Sequence, residues 1–541
     1  MAVQAQSEKE RKYDRQLRLW ASSGQALLEN AHVALIGGTA VGSELLKDLI
    51  LPNVGNFTVI DGEVVKEDVD LSANFFVEAE SVGLPRASVV VDLLAELNED
   101  VKGFAIEKNL TQLLAEDGGD IEKQKEFWTQ FSVVIVSESL PSDLLKLSDI
   151  LWDLHIPLVV IDSFSFFGSI FLSVPEHTVV ESHPISLVDL RLDSSWPELD
   201  KLVASYDLAS LDEVDLAHVP YPVLLLKYME AWKHNHDGSS PKTSSEKRQF
   251  KAFIDSMRSG SDQENYDEAI ANAWHLYQNS TVSSEIQSIL DTPQAQQITP
   301  SSTKFWVLVA ALRKFVSSEN SRLPLSGVLP DMKADTLSFL KLQTVYRQKA
   351  AADKARFKEL LDELLDGIGR PRDSITDDEI DTFCKNSAHI KVVTGTSLRE
   401  LFVDAIHSTK KIDEDEQDEL YLNNSTDHFH IYIAILAIKG YVEQYGAQAG
   451  RKAMDALEQE RLNTIALDYT KAFGGSTVYP QTSKILREIS RCGSYELHNI
   501  SAFLGGIGSQ EVVKLITHQY SVLDNLAVFD GITSQIQTWK L

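Results

Sequence analysis

Cysteine is nearly missing from this chain: Cys384 and Cys492 are the only two in 541 residues. Two cysteines cannot build a disulfide framework or a Cys-x-x-Cys zinc site, and such sparing use fits a reducing compartment. Basic residues are also short, 50 Lys and Arg against 80 Asp and Glu, for a net charge of −30. That balance argues against a general grip on nucleic acid or on an anionic membrane. No apolar run approaches the ~18 residues of a membrane span. The opening residues, MAVQAQSEKE, carry no apolar signal core. The expectation is a soluble protein of the cytoplasm and nucleus. Length alone implies more than one domain.

What is present is concentrated between His32 and Asp61. Val33–Ile36 is a short apolar run, followed by the turn Gly37-Gly38-Thr39-Ala40-Val41-Gly42. A segment of helical periodicity comes next, then the apolar run Phe57–Ile60, closed by Asp61. Strand, glycine turn, helix, strand, acid is the opening unit of a nucleotide-binding, doubly wound sheet. The turn is flawed, because Thr39 stands where Gly-x-Gly-x-x-Gly needs its middle glycine. That glycine lets the backbone approach a phosphate with no side chain in the way.

Before this unit, residues 8–30 read as a helix. Tyr13, Leu17 and Trp20 make an apolar stripe, and Arg11, Arg15 and Arg18 lie on the opposite face. After it, strand and helix patterns alternate: a helix over 88–98, a strand over 131–137, a helix over 144–155 and a strand over 157–161. This implies a mostly parallel α/β sheet. From about residue 185 the pattern is mainly helical. Residues 234–248 read as an exposed loop, and Leu323–Asp331 is irregular. Amphipathic or apolar helices are predicted over 305–316, 334–365 and 428–445. The acidic run 412–419 reads as a solvated connection. Near the end, 494–517 reads as a helix interrupted by Gly505, Gly506 and Gly508. Glycine inside a helix costs roughly 1 kcal/mol relative to alanine, which is tolerable where another backbone packs close. Ala527–Gly531 reads as a strand that returns to the first sheet. The domain expectation is 1–168 for the first part of the sheet domain, 169–485 for a helical insertion, and 486–541 for the return.

Several segments together resemble the activating enzymes of ubiquitin-like proteins. They are Tyr13-Asp14-Arg15-Gln16-Leu17, the Gly37–Gly42 turn, Val59-Ile60-Asp61 and Ala502-Phe503-Leu504-Gly505-Gly506-Ile507 with Gln510-Glu511-Val512. Within that family the resemblance is closest to regulatory, non-catalytic subunits of the neddylation branch. It is carried further by Leu17-Arg18-Leu19-Trp20, Asn74-Phe75-Phe76, Glu181-Ser182-His183-Pro184, Asp189-Leu190-Arg191-Leu192-Asp193 and Leu329-Pro330-Asp331-Met332. The resemblance implies a Rossmann-like adenylation fold, with an inserted domain that is the counterpart of the family's catalytic-cysteine domain. In that family one half binds ATP and magnesium and joins AMP to the modifier's C-terminus. The other half is a degenerate copy.

The residues favour the degenerate copy. Asn74 is followed by Phe75 and Phe76 where the family places Asn-x-x-Arg-Gln. Gly83-Leu84-Pro85-Arg86-Ala87 stands near the family's phosphate-contacting lysine, and keeps only Arg86. The strand Val133–Val136 is followed by Ser137-Glu138-Ser139 rather than an aspartate, although Glu138 can still ligate magnesium. Nucleotidyl transfer depends on neutralising negative charge, and this pocket has lost the groups that do so. Neither cysteine lies in a segment like the family's thioester cysteine, and both read as structural. His183 and His498 read as structural or helix-start residues.

The resemblance implies that this chain holds no cofactor or metal of its own, ATP and Mg2+ lying in a catalytic partner. It implies that Arg15 crosses the interface to the partner's nucleotide phosphates, a role suited to a permanently charged planar fork. Arg11, Tyr13 and Arg18 are further interface candidates. The implied partners are the catalytic subunit, a ubiquitin-like modifier and a conjugating enzyme, with no nucleic acid and no membrane. Two other readings stay open. One is an NAD(P)-dependent oxidoreductase, since Asp61 sits 19 positions after Gly42, as a ribose-binding acid would. The other is a non-catalytic acidic interaction scaffold.

Overall fold

The computed structural model describes residues 8–183, 188–260, 262–277, 280–404, 428–446, 454–492 and 495–541. The predicted acidic run 412–419 lies outside these residues. The chain divides into two compact units, one of residues 1–177 with 392–541 and one of residues 178–391.

Among the described residues there are ten strands, eight of them in the sheet of the first unit. They are β1 His32–Ile36, β2 Asn56–Ile60, β3 Lys102–Ile106, β4 Val133–Val136, β5 Leu158–Phe164, β6 Phe167–Ser173, β7 His177–Val179, β8 Lys391–Val393, β9 Leu526–Asp530 and β10 Gln535–Trp539. Eight form one sheet in the order β10-β9-β6-β5-β4-β1-β2-β3, and β7 pairs with β8. The stretch from β3 to β5 is parallel; β6, β9 and β10 add antiparallel pairs. The tail therefore does return to the sheet.

Alternation along the buried strands sends side chains to two cores, as the period-2 pleat requires. Ala34, Ile36, Val134, Val136, Leu158 and Val160 face one cluster. Val33, Leu35, Val133, Ile135, Val159 and Ile161 face the other. β1 lies between β4 and β2, so the chain reverses its winding there. The crevice at the carboxyl ends of β1 and β4 is the ligand position of such sheets.

Helix Phe429–Tyr445 is buried nearly all round and packs in the first of these cores. Its Lys439 pairs with Asp162 of β5 at 2.7 Å, both under one-tenth exposed. This packing is why the chain rejoins the sheet unit at residue 392, well before the residue 486 drawn from sequence. Helix His498–Thr517 begins four residues later than predicted. Its glycines face helix Ala40–Ile50: a Cβ on Gly505 would lie 2.9 Å from Leu45 N and from Glu44 Cβ. The close backbone approach expected there is to a helix, while Gly508 also lies against Ile161 of β5.

The second unit is mainly helical, with its own core running from Leu190 to Tyr346. The predicted loop 234–248 ends early. Thr243 and Glu246 form a reciprocal capping box that starts helix Ser244–Ser256. The long helix Thr336–Gly367 and the irregular Leu323–Asp331 are as predicted. Among the described residues no helix is long and apolar enough to cross a membrane.

Candidate functional site

The carboxyl ends of β1, β2 and β4 bring together the turn at Gly37, the acid Asp61 and the pair Ser137-Glu138. Gly37 adopts φ +86°, which favours glycine. Thr39 does not need to be glycine. It sits in extended backbone as the N-cap of helix Ala40–Ile50, where its hydroxyl accepts from Gly42 N–H. The same hydroxyl donates to Ser137 Oγ at 2.9 Å. The residue that spoils the fingerprint therefore caps the helix and ties it to β4. Asn74 braces the turn, donating to Gly38 O at 3.1 Å and Ser43 Oγ at 3.2 Å. Phe75 stands outward, 72% exposed, its ring 4.2 Å from that of His498.

The start of helix Ala40–Ile50 is the place where a phosphate would sit, because unpaired N–H groups and the helix dipole converge there. It is filled from within. The carboxylate of Glu496 accepts from Ala40 N at 2.8 Å and from Val41 N at 3.0 Å. Burial, reinforced by Glu138, outweighs these two bonds and pushes the Glu496 carboxyl up to about 7.

Beside it, Arg86 is folded inward, its side chain 3% exposed. Its Nε donates to Asp61 Oδ2 at 2.6 Å, Nη1 to Asp70 Oδ1 at 3.0 Å and Nη2 to Glu138 Oε2 at 2.5 Å. These carboxylates hold it charged and raise its affinity for the proton despite burial. Asp61 also accepts from Gly38 N at 2.6 Å and from Glu63 N at 2.8 Å. It is fully engaged, which leaves no free acid for a ribose. The crevice thus holds three carboxylates around one guanidinium, with Glu496 a fourth acid nearby, a field that repels a polyphosphate. Glu138 is bound to Arg86. Among the described residues no group of three or more His, Cys, Asp or Glu is arranged to hold a metal.

The N-terminal segment is not one helix. Glu8–Lys12 and Asp14–Asn30 meet at Tyr13, and the second is broken at Trp20–Ala21, where Ala21 takes φ +55°. Tyr13 is 2% exposed, so it cannot itself face a partner, and that expectation is corrected. Its hydroxyl donates to Asp100 Oδ2 at 3.0 Å and lies within bonding distance of Asn98, which in turn donates to Ile50 O at 2.9 Å. Lys12 reaches the same two side chains. Tyr13 is the anchor that fixes the segment to the sheet domain. Arg11, Arg15 and Arg18 are exposed. Arg18 pairs with Asp14 at 2.9 Å, whereas Arg15 has no ion pair among the described residues.

The sequence model of the ThiF family matches residues 13–541. The NEDD8-activating enzyme E1 regulatory subunit of Xenopus laevis is 36% identical, over 98% of this chain and 99% of the relative. The subunit AXR1 of Arabidopsis thaliana is also 36% identical, over 99% of this chain and 97% of its own length. The Drosophila melanogaster regulatory subunit gives 36% over 99% and 98%. The chain belongs to the ThiF family, among the NEDD8-activating enzyme E1 regulatory subunits. The oxidoreductase and free-scaffold readings are not favoured by this membership.

In this ThiF-family chain Cys384 lacks the setting of a nucleophile. Cys384 is buried, and its thiol is pushed up to about 12 by burial and by Asp381. Cys492 is half-buried, and its sulfur accepts from Ser165 Oγ at 3.2 Å and from Arg491 Nη2 at 3.4 Å. His498 opens its helix and contacts Glu44 at 3.1 Å. Sequence reasoning missed Glu496 and Asp70. Glu496 reaches the turn from 456 positions away, and no local pattern announces it. Asp70 lies in an acidic stretch that reads as solvated surface. Arg86 was noticed as a remaining charge, but its inward direction follows only from where three acids converge.

Proposed function

We propose that this chain is the non-catalytic half of a heterodimeric activating enzyme for a ubiquitin-like modifier. Its catalytic partner binds ATP and Mg2+, adenylates the modifier's C-terminus and forms the thioester that is passed to a conjugating enzyme. This chain itself binds no nucleotide and no metal, and it works in the cytoplasm and nucleus. One observation carries the reading: the phosphate seat of its own sheet is filled by Glu496, beside a cation place filled by Arg86. A fold that retains a nucleotide crevice but fills it with its own side chains supports a structural and regulatory use of that fold. The names of the relatives support the pairing with a catalytic subunit.

Arg15 is the group this chain contributes to the partner's chemistry. It is exposed, unpaired among the described residues, and held on a segment anchored by Tyr13. A guanidinium delivered to a phosphate stabilises charge that grows in the transition state. Arg15→Ala is expected to leave the heterodimer intact and slow adenylate formation by about 100- to 1000-fold, the range for losing one such donor. ATP–pyrophosphate exchange by the purified heterodimer measures this, and an unchanged rate at saturating ATP removes the arginine's role.

A further inference from the structure

Within the helical unit, the irregular strap Leu323–Asp331 runs beside helices Thr336–Gly367 and Asp377–Asn386. Between them is a cleft of about 500 Å³. Its charged lining is three cations, Arg347, Lys354 and Lys385, and one carboxylate, Asp381. Lys354 and Lys385 share that carboxylate, at 2.9 Å and 2.5 Å. Arg347 is exposed and has no ion pair or hydrogen bond among the described residues. In a chain of net charge −30, a cleft with a positive surplus is unusual.

Apolar side chains share this lining with the cations. Val328 is 51% exposed there, and Leu329, Ala350 and Ala351 complete it. The strap lies tightly on the long helix: Gly327 has φ +71°, and a Cβ on it would meet Ala350 Cβ at 2.8 Å. Main-chain N–H groups of Ser326, Gly327 and Leu329 have no protein partner among the described residues. A strap with unpaired main-chain groups, beside apolar side chains and a row of cations, offers what an acidic peptide segment needs. The strap supplies main-chain bonds, the cleft takes alternate apolar side chains, and the cations take carboxylates.

We propose that this cleft is a docking site for an extended acidic peptide segment of another protein, with Arg347 as the principal carboxylate contact. Charge complementarity selects the occupant. A nucleic acid fits less well, because three cations neutralise few phosphates and the rest of the chain repels a polyanion. This inference does not depend on the reading of the nucleotide crevice.

The test is fluorescence anisotropy with the full chain in its heterodimer, using a fluorescein-labelled octapeptide of alternating glutamate and leucine. A lysine–leucine octapeptide and a single-stranded 12-nucleotide DNA are the comparison probes. Saturable binding of the acidic peptide is expected, weakened at least tenfold by Arg347→Glu and a few-fold by Arg347→Gln. ATP–pyrophosphate exchange and the unfolding temperature should not change in either variant. Absence of saturable binding, equal affinity in wild type and both variants, or tighter binding of the lysine peptide or the DNA overturns the proposal.

Discussion

Arg86 and Glu496 decide what the crevice is. Replacing Arg86 by Met leaves Asp61 and Asp70 buried without their cation, and breaking such a buried pair costs about 3–5 kcal/mol. Urea unfolding of Arg86→Met should show a loss of that order; a neutral result means that the acids are protonated or relaxed without it. Glu496 makes a pH-dependent prediction. Its carboxyl is raised from the ordinary 4.5 to about 7, so between those values the folded chain binds a proton that the unfolded chain has released. Its contribution to stability is full below about pH 4.5 and is lost as pH rises through about 7. Glu496→Gln lacks this titration. Wild type should therefore lose stability relative to the variant between pH 5 and roughly pH 8. Parallel stability curves for the two proteins contradict this account of Glu496.

Elements were legible in the sequence where their pattern is local. The buried runs of β1, β2, β4 and β5 and the long helices announce themselves through period and length. Edge strand β3, with Lys102, Phe104 and Ala105 turned to solvent or half-exposed, has no such pattern and was missed. The capping box at Thr243 and Glu246 is local, but it lies in a Ser- and Lys-rich run that otherwise reads as loop. The glycine helix was recognised, but its neighbour was not, because which element packs against Gly505 is a tertiary fact. Gly505→Ala gives a direct check on that packing. Alanine gains about 1 kcal/mol of helix propensity, but the new Cβ must displace the backbone of Leu45, which costs about 1–3 kcal/mol. A net loss near 1 kcal/mol is expected in thermal or urea unfolding, and a stabilised variant contradicts the close helix contact. Tyr13→Phe belongs at the same scale. Losing the hydroxyl's bond to Asp100 should cost about 1 kcal/mol and leave capture of the catalytic subunit in a pull-down unchanged. Failure of capture instead means that pairing depends on the anchoring of this segment by the Tyr13 hydroxyl.

At the scale of the whole molecule, the fold and the weakness of its nucleotide fingerprint could be read from sequence. The reason for that weakness could not. Thr39, Phe75 and Leu84 look like separate losses along the chain. In three dimensions the crevice is not merely eroded, since Glu496 from the far end of the sequence and Arg86 from the next helix fill it with internal charges. The fold is kept, and its ligand is now part of the protein. On the proposed function, this is how a 541-residue chain keeps an adenylation-type sheet whose crevice is occupied by its own side chains. The proposal that the chemistry lies in a partner, with Arg15 as the contribution from this side, rests on this filled crevice.

The central claim is tested most directly by ATP–pyrophosphate exchange measured on the chain alone and after adding the catalytic subunit, with ATP binding by calorimetry on the same samples. The account predicts no saturable heat and no exchange from the chain alone, and both on forming the heterodimer. Saturable ATP binding or steady exchange by the isolated chain contradicts it.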